Sequence, residues 1–98
     1  MRKKLKIEQR SDNIFRDLGF DEAEAENLKL RSTLMIRVTK IVRESNMTQA
    51  EAALVFGVTQ PRLNQLLNGK IQLFSLDALV NMLASAGMRV TMSVKKAA

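Results

Sequence analysis

The chain contains no cysteine, histidine, tryptophan or tyrosine, and only one proline. Each absence removes a class of chemistry. Without cysteine there is no disulfide framework, no thiolate metal site and no thiol nucleophile, which fits a reducing compartment. Without histidine, the commonest general base near neutral pH and the commonest zinc ligand are both gone. Four glycines offer no glycine-rich phosphate loop. Ser75 and Ser93 have no base in a recognisable arrangement. The only close carboxylates, from Asp21 to Glu26, are better explained as acids at the start of a helix. The chain is therefore expected to bind rather than to catalyse, with no cofactor and no metal. No apolar run approaches the roughly 18–20 residues of a membrane span. The basic stretch from Met1 to Ile7 is not followed by an apolar segment of signal-peptide length. A cytoplasmic protein without membrane contact is expected.

What is present is a globular composition: 98 residues, of which 46% are hydrophobic. This suits one domain with a modest core, for which a partner subunit would add stability. The net charge is +6, unevenly placed. Residues 1–10 hold Arg2, Lys3, Lys4, Lys6 and Arg10 against Glu8 alone, while residues 17–26 hold Asp17, Asp21, Glu22, Glu24 and Glu26 with no basic residue. The balance suits a polyanionic partner such as DNA, and equally a solvated surface behind a basic leader.

Residues 1–20 read as a basic arm, in which Leu5 and Ile7 alternate with polar residues as in a short strand. Gly19 marks a break. A long helix is expected over Glu22–Glu44, opened by Asp21 with Glu24 in the capping-box pattern. Its apolar stripe is Leu28, Leu34, Met35, Val38, Ile41 and Val42. Arg37, Lys40 and Arg43 lie off the stripe, and Asn46 is a candidate left-handed stop. Three shorter helices follow. One begins at Thr48, with Glu51 completing a capping box, and ends at Phe56–Gly57. One starts after Thr59 and stops at Asn68–Gly69, with Pro61 in its first turn. One starts after Ser75 and ends at Gly87, with Leu76, Leu79, Val80 and Leu83 as its apolar face. Met35, Met82, Phe56 and Phe74 are candidate core residues. The tail changes period: Met88, Val90, Met92 and Val94 alternate with Arg89, Thr91, Ser93 and Lys95. This pattern predicts a strand with one apolar face. A lone strand leaves its backbone unpaired, so its partner is residues 4–8 or, preferentially, the same strand of a second subunit in a two-fold dimer. The division is thus an arm over 1–20, a helical domain over 21–87, and a strand and tail over 88–98.

The pair of helices around Gly57-Val58 has the ingredients of a helix-turn-helix. Ala53 is small where the helices meet, Gly57 can take a positive φ, and Val58, Leu63 and Leu66 lock the underside. With Leu63, Leu66 and Leu67 inward, Pro61, Asn64, Gln65 and Asn68 face out, flanked by Gln60 and Arg62. Amides match an adenine edge and an arginine fork matches guanine. A face built for solubility alone would more often carry Lys and Glu. Gln60, Arg62, Asn64 and Gln65 are therefore candidate base readers, with Gln60 favoured because the N-terminal end of a recognition helix reaches deepest. Pro61 can offer a thymine methyl only an apolar contact. Gln49, at a helix start, and Lys70, in the following loop, are candidate backbone contacts, with Thr48, Thr59 and Asn68 beside them.

The stretch Thr48-Gln-Ala-Glu-Ala-Ala-Leu-Val-Phe-Gly-Val-Thr-Gln-Pro-Arg-Leu-Asn-Gln-Leu-Leu-Asn-Gly-Lys70 resembles the helix-turn-helix of the Xre/Cro-repressor family, and from Thr59 onward it is especially close to lambdoid phage repressors. The resemblance implies an all-α, lambda-repressor-like domain of about five helices, with the short C-terminal strand as an addition. It implies glutamines reading the operator at Gln60 and Gln65, and phosphate held by Gln49. Pro61 departs from the polar residue often found there. Beyond the motif, Asn13-Ile-Phe-Arg-Asp-Leu-Gly-Phe20, Leu34-Met35-Ile36 and Lys70-Ile-Gln-Leu-Phe-Ser-Leu-Asp77 resemble small HigA-like antitoxins of toxin–antitoxin modules. The implied partners are a double-stranded, pseudo-palindromic DNA operator, a second copy of the chain, and a toxin protein. Two alternatives stand beside an autorepressing antitoxin. One is an antitoxin that mainly masks its toxin, with the acidic stretch Asp17 to Glu26 as a docking surface. The other is a stand-alone repressor without a toxin.

Overall fold

The computed structural model describes residues 14–97. Five α-helices follow in order: α1 (Ile14–Asp17), α2 (Glu22–Glu44), α3 (Gln49–Val55), α4 (Gln60–Leu67) and α5 (Leu76–Ser85). A single 3₁₀ turn, Ile71–Leu73, joins α4 to α5. Among the described residues there is no strand.

The long helix forms where its stripe predicts it. Asp21 is extended, and its Oδ1 accepts the Glu24 N–H at 2.8 Å, satisfying one of the donors that every helix start leaves open. Leu28, Met35 and Val38 are fully buried, with Leu34, Ile41 and Val42 packed at the margin. Arg37, Lys40 and Arg43 face solvent. Ser32, the one buried polar residue among the described residues, returns its hydroxyl to the Lys29 carbonyl at 2.8 Å. α5, α1, α4 and the 3₁₀ turn lie against this spine, and α3 packs on α4. The core runs from Phe15 through Phe56, Leu63, Leu66 and Phe74 to Leu79, Met82 and Leu83.

Three expectations are revised. The basic arm expected over residues 1–20 divides: Ile14–Asp17 is helical, Phe15 is buried, and its ring meets Phe20 edge-on at 6.3 Å. Residues 1–13, with the expected strand at 4–8, lie outside the described residues. Asn46 is not a left-handed stop, because every positive φ among the described residues belongs to a glycine. Instead α2 ends at an extended Ser45, whose N–H and hydroxyl both return to the Val42 carbonyl. A side chain that ties off the last turn makes the left-handed residue unnecessary.

The third revision concerns the tail. Met88, Val90, Met92 and Val94 are not in a strand; residues 88–97 have no regular secondary structure. The Met88 N–H bonds the Leu83 carbonyl as part of the α5 terminus, across Gly87 with φ of 81°. Val90 rests against the core, whereas Val94 is 97% exposed. An alternating segment becomes a strand only when another backbone supplies its hydrogen bonds, and no described segment offers an edge.

Candidate nucleic-acid interface

The unit from Thr48 to Lys70 is built from its caps inward. The Thr48 Oγ1 accepts the Glu51 N–H at 3.1 Å and Glu51 Oε1 accepts the Thr48 N–H at 2.8 Å, a complete capping box. Ala52 and Ala53 are buried, and their small size lets α4 pack closely across α3. The turn reverses at Gly57, with φ of 69°, and the Val58 N–H reaches back to the Ala53 carbonyl at 2.9 Å. Glycine is required here twice over. A left-handed φ strains most side chains, and a Cβ at this position would lie 3.0 Å from Ser85 Oγ. That hydroxyl, from the last residue of α5, donates to the Val55 carbonyl at 2.9 Å, so the end of α5 braces the turn.

Thr59 caps α4 by accepting the Arg62 N–H at 3.3 Å. Pro61 fits the first turn because its missing N–H would have had no helical partner there. Leu63 and Leu66 are buried beneath α4 and Leu67 is half-buried. On the opposite side Gln60, Asn64 and Asn68 recur every fourth residue and are all exposed; Pro61 is exposed and Gln65 half-buried in the adjacent row. Five of the candidate residues thus share one face of α4. Thr48, Gln49, Thr59 and Lys70 are exposed at the two helix starts and in the loop beyond α4. Both threonine hydroxyls accept a cap bond and retain a proton to donate to an approaching oxygen.

Arg62, expected on the flank of the outward face, turns its head to the segment beyond α4. Its Nη1 donates to the Leu73 carbonyl at 2.9 Å, and its guanidinium carbon lies 4.1 Å from the centroid of the buried Phe74 ring. The charge-assisted bond contributes about 1.5 kcal/mol, and the stacked cation about 0.5–1 kcal/mol at a partly exposed site. Reaching toward the exposed amides would give up both. Arg31 of α2 reaches the same segment, its Nη1 3.4 Å from the Ile71 carbonyl and 3.3 Å from that of Phe74, with Nε donating to Asn27 Oδ1 at 2.7 Å. Sequence reasoning missed this pair of arginines and the Ser85 brace. The available signal was only that Arg31 and Arg62 border apolar stripes, where a long side chain can lie along the core and place its head at the edge.

A short capped helix, a glycine turn and a second helix with a packed underside and an exposed amide row define a helix-turn-helix, a DNA-binding class. The chain belongs to a helix-turn-helix domain family, whose model matches residues 14–95. No curated protein matches the chain. Among the described residues, no helix is long and apolar enough to cross a membrane.

Proposed function

We propose that this protein is a sequence-specific transcriptional regulator of the Xre/Cro-repressor type, and that it is the antitoxin and autorepressor of a type II toxin–antitoxin module. It is a cytoplasmic binding protein rather than an enzyme. The observation that carries the DNA-reading part is the row Gln60, Asn64 and Asn68, exposed over a fully packed underside. Gln60, Asn64 and Gln65 read base edges, with Gln60 entering deepest, while Pro61 meets a thymine methyl. Thr48, Gln49, Thr59, Asn68 and Lys70 hold the sugar–phosphate backbone. Two copies present two α4 helices to successive major grooves about 34 Å apart, so the operator is a pseudo-palindrome.

A gel shift with the DNA upstream of its own gene tests the reading. Replacing Gln60 and Gln65 together by alanine is expected to lower affinity for the preferred site by about 10–100-fold, as loss of bidentate base contacts does. Unchanged binding and unchanged sequence preference would remove them as readers.

A second reading, in which masking a toxin is the main act, is favoured by the apolar surface that the fold leaves open. Leu54 is 82% exposed and Met92 67%. The acidic stretch supports it less, because Asp21 caps α2 and Glu22 pairs with Arg16 at 2.6 Å. Co-expression with the adjacent gene product decides: rescue from a toxic neighbour supports masking, and a harmless neighbour with no complex sinks it.

A further inference from the structure

We infer that Arg62 is a positioning residue for DNA reading: it prevents α4 from rolling about its axis and reads no base itself. This inference rests on the DNA-reading role of α4. The helix is eight residues long and sits on buried Leu63 and Leu66, with half-buried Leu67 packed beside them. All three lie within about one turn, roughly 6 Å along the axis. A contact that reaches farther from the axis than these short side chains has more leverage against rotation of so short a helix. The amide heads are sensitive to such rotation. With side chains a helix has a radius of about 6 Å, so a roll of about 10° moves an amide head by about 1 Å, enough to spoil a bidentate hydrogen bond.

Arg62 supplies the off-axis restraint. It projects from the flank of α4 in its first turn, one residue before the leucine pair, and crosses to a separate segment, with Nη1 2.9 Å from the Leu73 carbonyl and the guanidinium over Phe74 at 4.1 Å. The anchor is itself rigid: Phe74 is fully buried, and Arg31 grips the Ile71 and Phe74 carbonyls from α2. The contact thus refers the roll of α4 to the long helix that carries the core. Lys70 begins the gripped segment, since its carbonyl accepts the Leu73 N–H at 3.0 Å. The same tie therefore sets the distance between the amide row and that backbone contact.

The test is selection of binding sites from randomised DNA by the full chain, with wild type, Arg62→Ala and Arg62→Lys compared over a salt series. In Arg62→Ala the ratio of preferred to random affinity is expected to fall about tenfold, with the loss spread over every base pair that α4 reads and with an unchanged salt slope. Arg62→Lys restores most of the ratio, because an ammonium can still reach the Leu73 carbonyl and the Phe74 ring. Without DNA, hydrogen exchange at the Leu73 and Phe74 amides speeds up in Arg62→Ala and returns in Arg62→Lys, while exchange in α2 stays at the wild-type level. A loss confined to a single base pair would make Arg62 a reader and overturn the inference. So would a slope reduced by about 0.9, the signature of one lost phosphate contact, or unchanged exchange at the two amides. A wild-type preference that Arg62→Ala leaves intact overturns this inference alone. Absence of any preference in the wild-type chain overturns the DNA reading, and this inference with it.

Discussion

The helix-turn-helix and the C-terminal tail carry equally regular patterns, yet only one becomes regular structure. Thr48 to Lys70 has helical spacing, two threonine caps and a glycine turn, and all of it forms. Residues 88–95 alternate apolar and polar without interruption and stay irregular. The two differ in where their hydrogen bonds can be found. A helix closes its own backbone bonds four residues away and needs tertiary contacts only for its apolar face. A strand finds every bond on another segment. Val90 and the α5 terminus at Met88 show how far the tail's apolar side is satisfied within one chain; Met92 and Val94 lie beyond that limit.

Phe56→Ala removes a fully buried ring between the two helices of the motif and should cost about 3–5 kcal/mol in urea unfolding. A much smaller loss would mean that the motif is not seated on the common core. Gly57→Ala should cost about 1–2 kcal/mol from the left-handed φ and the 3.0 Å approach to Ser85 Oγ. Measured against Ser85→Gly alone, which itself loses the brace at Val55, Gly57→Ala should cost less than in the wild type by only the crowding part, and no added cost would show that the backbone conformation carries no strain. Thr48→Ala should cost about 1 kcal/mol by removing one half of the capping box. Deleting residues 91–97 should change stability by less than about 0.5 kcal/mol at low protein concentration, since these residues are all exposed. A larger loss that grows with protein concentration would show that the tail finds its missing backbone in a second copy.

The candidate site was legible in the sequence to the extent that it is local. The face shared by Gln60, Pro61, Asn64, Gln65 and Asn68 follows from helical period once Leu63 and Leu66 point inward, and the cap at Thr48 follows from Glu51 three residues on. The position of the Arg62 head was not legible, for a physical reason. Periodicity sets the direction of a Cβ, but an arginine head lies several bonds beyond it, and its final position depends on which acceptor is within reach. That acceptor is eleven residues away in the chain, in a turn that packs against α2 and α4. Asn46 failed as a helix stop because Ser45, one residue earlier, already satisfied the Val42 carbonyl. Ile14–Asp17 is not legible as a helix because four residues are too few to show a period; Phe15 joins the helical core only by packing.

The amino-acid order by itself determined the number and limits of the four longer helices, the glycine reversal at Gly57 and the amide row on α4, because caps, turns and helical period act over four residues or fewer. Tertiary structure alone decided that Arg62 turns to Leu73 and Phe74, that Ser85 braces the turn at Val55, that Phe15 belongs to the core and that the alternating tail is no strand. Each of these depends on a partner distant in the chain, and such a partner comes within reach only when the whole chain has folded.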